Sequence, residues 1–267
     1  MRYFSVVVCI TILFGGSNAS DWKKMRTSLV RRNFTVTNSF TQSDAEIVVV
    51  RIDPSKYRLK LLSASEFNVE NMTAKEWAKA HGCIGAFNAG MYLTDYRSNV
   101  GYLKNGNHLN NPRINKQYYS FTVFNPKSTK DSYFKMYDSD VTDISKVVPR
   151  YKSVVQNLRL IKRSRNNRWG QQEKRWSEIA LGEDASGNIL VLFCKSPFSM
   201  YEFNQHILKL PIDLVCAQHL EGGPEASLYV EGKMDSLQLT GSYTSGWDTA
   251  GTDPFLPLPN VIGIVER

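Results

Sequence analysis

The chain is poor in the residues that staple or metallate small exported proteins. It has four cysteines and four histidines in 267 residues. Cys9 lies in an N-terminal apolar run, which leaves Cys83, Cys194 and Cys216, an odd set that allows at most one internal disulfide. All three sit in apolar contexts (HGCIGAF, VLFCKS, LVCAQ), as small core residues do, and their spacing does not suggest a zinc module. No EF-hand loop is present, and no helix-turn-helix, zinc-finger or RNP pattern accompanies the basic residues, so no cofactor and no nucleic-acid partner is expected. After residue 14 no apolar run approaches the length of a membrane span. Internal repeats, low-complexity tracts and Pro/Ser-rich linkers are also missing, which argues for one domain.

What the chain does have begins with MRYFSVVVCITILFGGSNA. A short positive start, an apolar run and small residues at Ser17 and Ala19 form the pattern of a cleaved secretory signal over residues 1–19. The protein is therefore expected to be exported, to the periplasm or the extracellular space. No cysteine stands at a lipobox-like position. Residues 20–45 read as an N-terminal segment and 46–267 as the folded domain. Formal charge is +8, of which Arg2 belongs to the signal. Much of the excess lies in RLIKRSRNNRWGQQEKRW, either a solvated run or a source of cations for an anionic substrate. The sequons at Asn33 and Asn71 carry meaning only in a glycosylating host.

Strand-like runs at 46–51 (EIVVVR) and 57–62 flank the turn IDPSK and read as a hairpin. Thr73 and Glu76 form a capping box for a short helix closed by Gly82. Residues 83–87 read as a buried strand ending at Asn88-Ala89-Gly90. Asn105-Gly106 marks a tight hairpin, 180–194 two strands around a turn, and 200–210 a helix stopped by Pro211. Helices scattered among hairpins predict an α+β single domain, a mostly antiparallel or mixed twisted sheet with a few packed helices.

The segment HLEGGPEAS, residues 219–227, follows the apolar run IDLVCA and precedes the strand-like LYVEG. Its glycines permit positive φ and close ligand approach, and Pro224 biases Gly223 towards extended backbone. Glu221 stands at a strand end, where a sheet holds a side chain rigidly. Spacing alone is equally consistent with a surface turn of solvated glutamates.

HLEGGPEASL resembles the Asp/Glu-Gly-Gly signature of the phosphodiester glycosidase family, the domain of the mannose 6-phosphate uncovering enzyme. GAFNAGMY (residues 85–92), VQNLRLI (155–161) and WSEIALGEDASGNILVLF (176–193) resemble three further motifs of that family in the same order. The resemblance implies a hydrolase that cleaves the glycosidic bond of a sugar-1-phosphodiester or related glycan, with two carboxyl groups at the reacting centre. On it, Glu221 and Glu225 are the candidate catalytic acids. Asn88, Gly90, Arg159, His219, Gly222 and Gly223 are candidate substrate contacts, with Arg159 as a phosphate clamp and His219 on the face of Glu221 by period two. Two departures stand out: Gly-Gly-Pro-Glu replaces a common Gly-Gly-Gly-Ser, and Glu178 occupies a position where arginine is common. They leave open a non-catalytic envelope protein that binds anionic glycan through the same cleft. A calcium-type site from Glu221, Glu225 and Asp184 is the weaker alternative to a metal-free site.

Overall fold

The computed structural model describes residues 22–242 and 255–267, so the expected signal segment lies outside the described residues. β-Branched and aromatic residues dominate segments such as EIVVVRI and ILVLFC, and they form strands buried on both faces. Among the described residues three sheets result. The large one has eight strands in the spatial order Lys23–Arg26, Leu29–Asn38, Ser43–Ile52, Ile189–Phe198, Trp176–Asp184, Leu214–Gly222, Arg159–Lys162 and Asn166–Asn167. A second sheet orders His108–Asn111, Leu103–Asn105, Tyr151–Asn157, Ser120–Pro126 and Phe134–Asp138. The third orders Ser236–Thr240, Ser227–Glu231, Gly85–Asn88, Asn260–Glu266 and Tyr57–Ser63. Pairing within each is antiparallel, and the helices are few and short, as expected for an α+β fold.

The main core lies between the sheets. Val50, Leu181 and Leu220 of the large sheet meet Phe87, Val230 and Ile262 of the third and Val155 of the second. On the outer face of the large sheet, the helix Met200–Lys209 buries Phe203 and Ile207 against Val49, Ala180 and Leu192. The helix Ala74–Ala80 seals the third sheet through Trp77, whose indole N–H donates to the Leu258 carbonyl. Cys83, Cys194 and Cys216 are free and buried, and burial pushes the Cys194 and Cys216 thiols up to about 12.

Two expectations change. The segments around IDPSK do not form a hairpin: Ser43–Ile52 pairs within the large sheet, whereas Tyr57–Ser63 pairs with Asn260–Glu266 in the third. Asp53 accepts amide hydrogens from Ser55 and Lys56, so the turn exists, but it carries the chain from one layer to the next. The boundary at Glu46 falls inside a strand. Residues 29–38 pair along their whole length with 43–52 and bury Leu29, so residues of the expected N-terminal segment belong to the large sheet. The polar residues interspersed through LVRRNFTVTN, Arg31 and Arg32 among them, hide that strand from a reading by hydrophobic runs.

Both longer helices open on reciprocal caps, Thr73 with Glu76 and Ser199 with Glu202. Replacing Thr73 by alanine removes the acceptor for the Glu76 amide, and a loss of about 1 kcal/mol is expected. Urea denaturation checks this as a lower midpoint with an unchanged slope.

Candidate functional site

The strand Leu214–Gly222 belongs to the large sheet and Ser227–Glu231 to the third, so the short turn Gly223–Glu225 bridges two layers. Gly223 takes φ +67°, a left-handed conformation that favours glycine, and not the extended one expected of a residue before proline. At Gly222 a Cβ would lie 2.3 Å from the Trp176 ring, so the indole covers the turn only because no side chain is there. Asn88 fastens the other side: its Nδ2 donates to the Glu225 carbonyl at 3.0 Å, and its Oδ1 accepts from the Ser227 amide at 2.7 Å. Burial of Asn88 makes these bonds costly to lose.

A cleft of about 630 Å³ opens beside this turn. His219, Glu221, Gly222 and Gly223 line it together with Tyr118, Trp169, Trp176 and Lys174. A second hollow of about 360 Å³ shares Glu221 and Met91 with the first and adds Tyr92, Tyr96 and Glu225. Glu221 thus stands where two lobes of one groove meet, with His219 behind one lobe and Glu225 in the other.

The chemistry is set by an arrangement that sequence reasoning missed. Glu178, 2% exposed, places Oε1 2.6 Å from His219 Nδ1, while its Oε2 accepts the Trp176 indole N–H at 2.9 Å. Pairing between the strands Trp176–Asp184 and Leu214–Gly222 slips between Ile179 and Ala180, where the latter strand carries an extra residue. Such a bulge re-aims side chains beside a site. Burial opposes charge on the His219 ring, but the Glu178 carboxylate outweighs it by charge and hydrogen bond, aided by Glu221, and raises its pKa above the ordinary histidine value. Burial likewise dominates at Glu221 and lifts its carboxyl to about 7; His219 and the Gly222 amide act against the rise, and Glu225 and Glu178 add to it. A carboxyl poised near neutrality exchanges its proton in either direction. Burial, with a smaller contribution from Glu221, also raises the Tyr118 phenol.

Three residues anticipated from sequence serve elsewhere. Arg159 is bonded to Asp138 at 3.2 Å and Asp140 at 2.8 Å and seated over Tyr119, and it does not line the cleft as a phosphate clamp would. Its neighbours in the basic run are similarly engaged: Lys162 with Asp140, Arg163 with Glu183, Arg175 with Glu202. Asn88 holds the turn rather than lining the cleft. Asp184 caps the turn at 186–188, about 16 Å along its strand from the residue opposite Glu221, so the three-carboxylate cation set does not assemble. Among the described residues no cluster of three metal-ligating side chains occurs. Gly90 packs against the Asn157 and Asn99 amide oxygens, at 2.3 and 2.7 Å from where its Cβ would stand, just before Met91 of the cleft. Glu178 had a signal in the sequence, as an acid directly before the apolar residues Ile179, Ala180 and Leu181 of a strand-like run.

The sequence pattern of the phosphodiester glycosidase family matches residues 81–265, which holds both lobes and the Glu178–His219 pair. The chain belongs to the phosphodiester glycosidase family. No curated protein matches it. Among solved structures it is similar to the catalytic domain of zebrafish N-acetylglucosamine-1-phosphodiester alpha-N-acetylglucosaminidase, described as auto-inhibited by its pro-peptide, at 12% identity and a TM-score of 0.65 over 94% of this chain and 85% of that one. A hypothetical protein from Synechocystis is similar at 13% identity and a TM-score of 0.60, over 90% of this chain and 62% of that one. At such identities the likeness speaks for the fold. The phosphodiester glycosidase motifs at residues 85–92, 176–193 and 219–227 accordingly fall on the third sheet, the large sheet and the turn between them.

The raised Glu221 pKa has a consequence for stability. Between pH 4.5 and about 7 the unfolded chain has released this proton while the native state holds it, so the Glu221 contribution to stability falls as pH rises through that window. Glu221→Gln removes the titration. Its melting temperature, matched to the parent near pH 4, is expected to exceed the parent's above pH 7, by about 1–3 kcal/mol in stability.

Proposed function

We propose that this protein is a hydrolase of glycosyl phosphodiesters, with Glu221 as its central carboxylate. The observation that carries the reading is the position of Glu221, raised to about 7 and shared by both lobes of one groove, at the strand end that leads into the turn of the family motif. Cleavage of a sugar-1-phosphodiester breaks the bond from C1 to the ester oxygen. The bonding electrons leave with the phosphate, and water supplies the oxygen that C1 gains. A phosphate monoester is a stable leaving anion, so the larger need is for a base. Ionised Glu221 takes the proton of the attacking water, and Glu225, on the other side of the turn, is the second carboxyl facing the oxocarbenium-like transition state. The imidazolium of His219, held by Glu178, stabilises the ionised form of Glu221 in the resting enzyme.

The protein is proposed to act outside the cytoplasm, in the periplasm or the extracellular space, on the strength of its N-terminal MRYFSVVVCITILFGGSNA. Among the described residues no helix is long and apolar enough to cross a membrane.

The test starts with an N-acetylglucosamine-1-phosphodiester, the ester class in the zebrafish enzyme's name, and extends to other sugars. The parent protein is expected to release sugar, and Glu221→Gln to lose about 10³-fold in kcat with its fold retained. The parent's kcat/KM should rise with pH through about 7, as Glu221 ionises. Unchanged turnover in Glu221→Gln removes Glu221 from the mechanism. Saturable binding with no sugar release from any ester supports the non-catalytic glycan-binding alternative.

A further inference from the structure

The two lobes that meet at Glu221 differ in charge and in wall chemistry. The smaller holds Glu225 with Thr94 and the paired rings of Tyr92 and Tyr96, whose centroids lie 5.9 Å apart. Lys174 is the one lysine or arginine lining the larger, and no acid is paired with it among the described residues. A phosphate in the smaller lobe faces the Glu225 carboxylate, and in the larger it faces Lys174. Electrostatics therefore orders the substrate along the groove, with its sugar towards Tyr92, Tyr96 and Glu225 and its phosphate towards Lys174.

Tyr118, Gln172 and Ser242 also line the larger lobe, but a continuous part of its wall is apolar. Trp169, Trp176, Leu158 and Met200 form that part, and none of them offers a free polar atom. The Trp169 indole N–H is spent on the Arg159 carbonyl at 2.7 Å, and that of Trp176 on Glu178 at 2.9 Å. Both rings are fixed by these bonds and present carbon to the cleft, a preorganised apolar surface that gains by covering. Leucine and methionine beside them provide aliphatic contact of a kind that suits hydrocarbon better than hydroxyl groups.

We infer that the larger lobe is a subsite for an apolar group esterified to the phosphate, an aryl or alkyl chain, so that the substrates are hydrophobic esters of a sugar-1-phosphate rather than diesters joining two sugars. For its scissile bond the inference rests on the glycosyl-phosphodiester reading, but the subsite itself is tested by binding alone. Isothermal titration calorimetry with methyl, phenyl and octyl phosphate on the full folded chain is the experiment. Phenyl and octyl phosphate are expected to bind at least tenfold more tightly than methyl phosphate. Trp169→Ala should abolish that preference, and Lys174→Glu, at an exposed position, should weaken all three ligands at least tenfold. Tyr96→Ala, in the other lobe, should leave them unchanged. Equal affinity for the three phosphates, a preference that survives Trp169→Ala, or binding indifferent to Lys174→Glu overturns the assignment. Absence of sugar release from every ester, with the preference intact, defeats the hydrolytic reading and supports the subsite. Equal turnover of methyl and octyl esters does the reverse.

Discussion

The contact between His219 and Glu178 is the constraint on which the site depends. Two buried ionisable groups 2.6 Å apart on neighbouring strands of the large sheet are tolerable only as a hydrogen-bonded pair, since either alone is a desolvated charge or an orphaned polar group. The pair fixes the ring of His219, and through its second oxygen Glu178 also fixes the indole of Trp176. Trp176 in turn lies over Gly222, so one carboxylate sets the position of the ring beside Glu221, the wall of the cleft and the cover of the glycine turn. Glu221 inherits its environment from this cluster rather than from its own strand alone.

A second restraint comes from the other layer. Asn88 ends a strand of the third sheet and bonds both the Glu225 carbonyl and the Ser227 amide, so the Gly223–Glu225 turn is held from beneath as well as from the side. Two sheets with a shared core thus grip one short turn between them.

Much of the local structure was legible in the sequence, and the reasons are local. The Thr73–Glu76 cap, the Asn105-Gly106 hairpin and the helix Met200–Lys209 depend on residues within a few positions of one another. That His219 and Glu221 share a cleft follows from alternation along one strand. The rest depends on partners remote in sequence. IDPSK makes the same turn whether its flanking strands pair or part, and only the core decided that they part. Arg159 was read by its charge, but Asp138 and Asp140, some twenty positions away on the second sheet side, fixed its use. Glu178 looked like the loss of a positive charge because its meaning lies across the strand pair, at His219.

The two lobes grow from different parts of the chain. Residues 91–100, between strands of the third and second sheets, supply the wall of one; the long connection at 163–175, looping out of the large sheet, supplies much of the other. Connections change more readily than the layers they join. With Glu221 anchored at the seam, the walls on its two sides are separately heritable: one loop can be exchanged or lengthened during descent without disturbing the other.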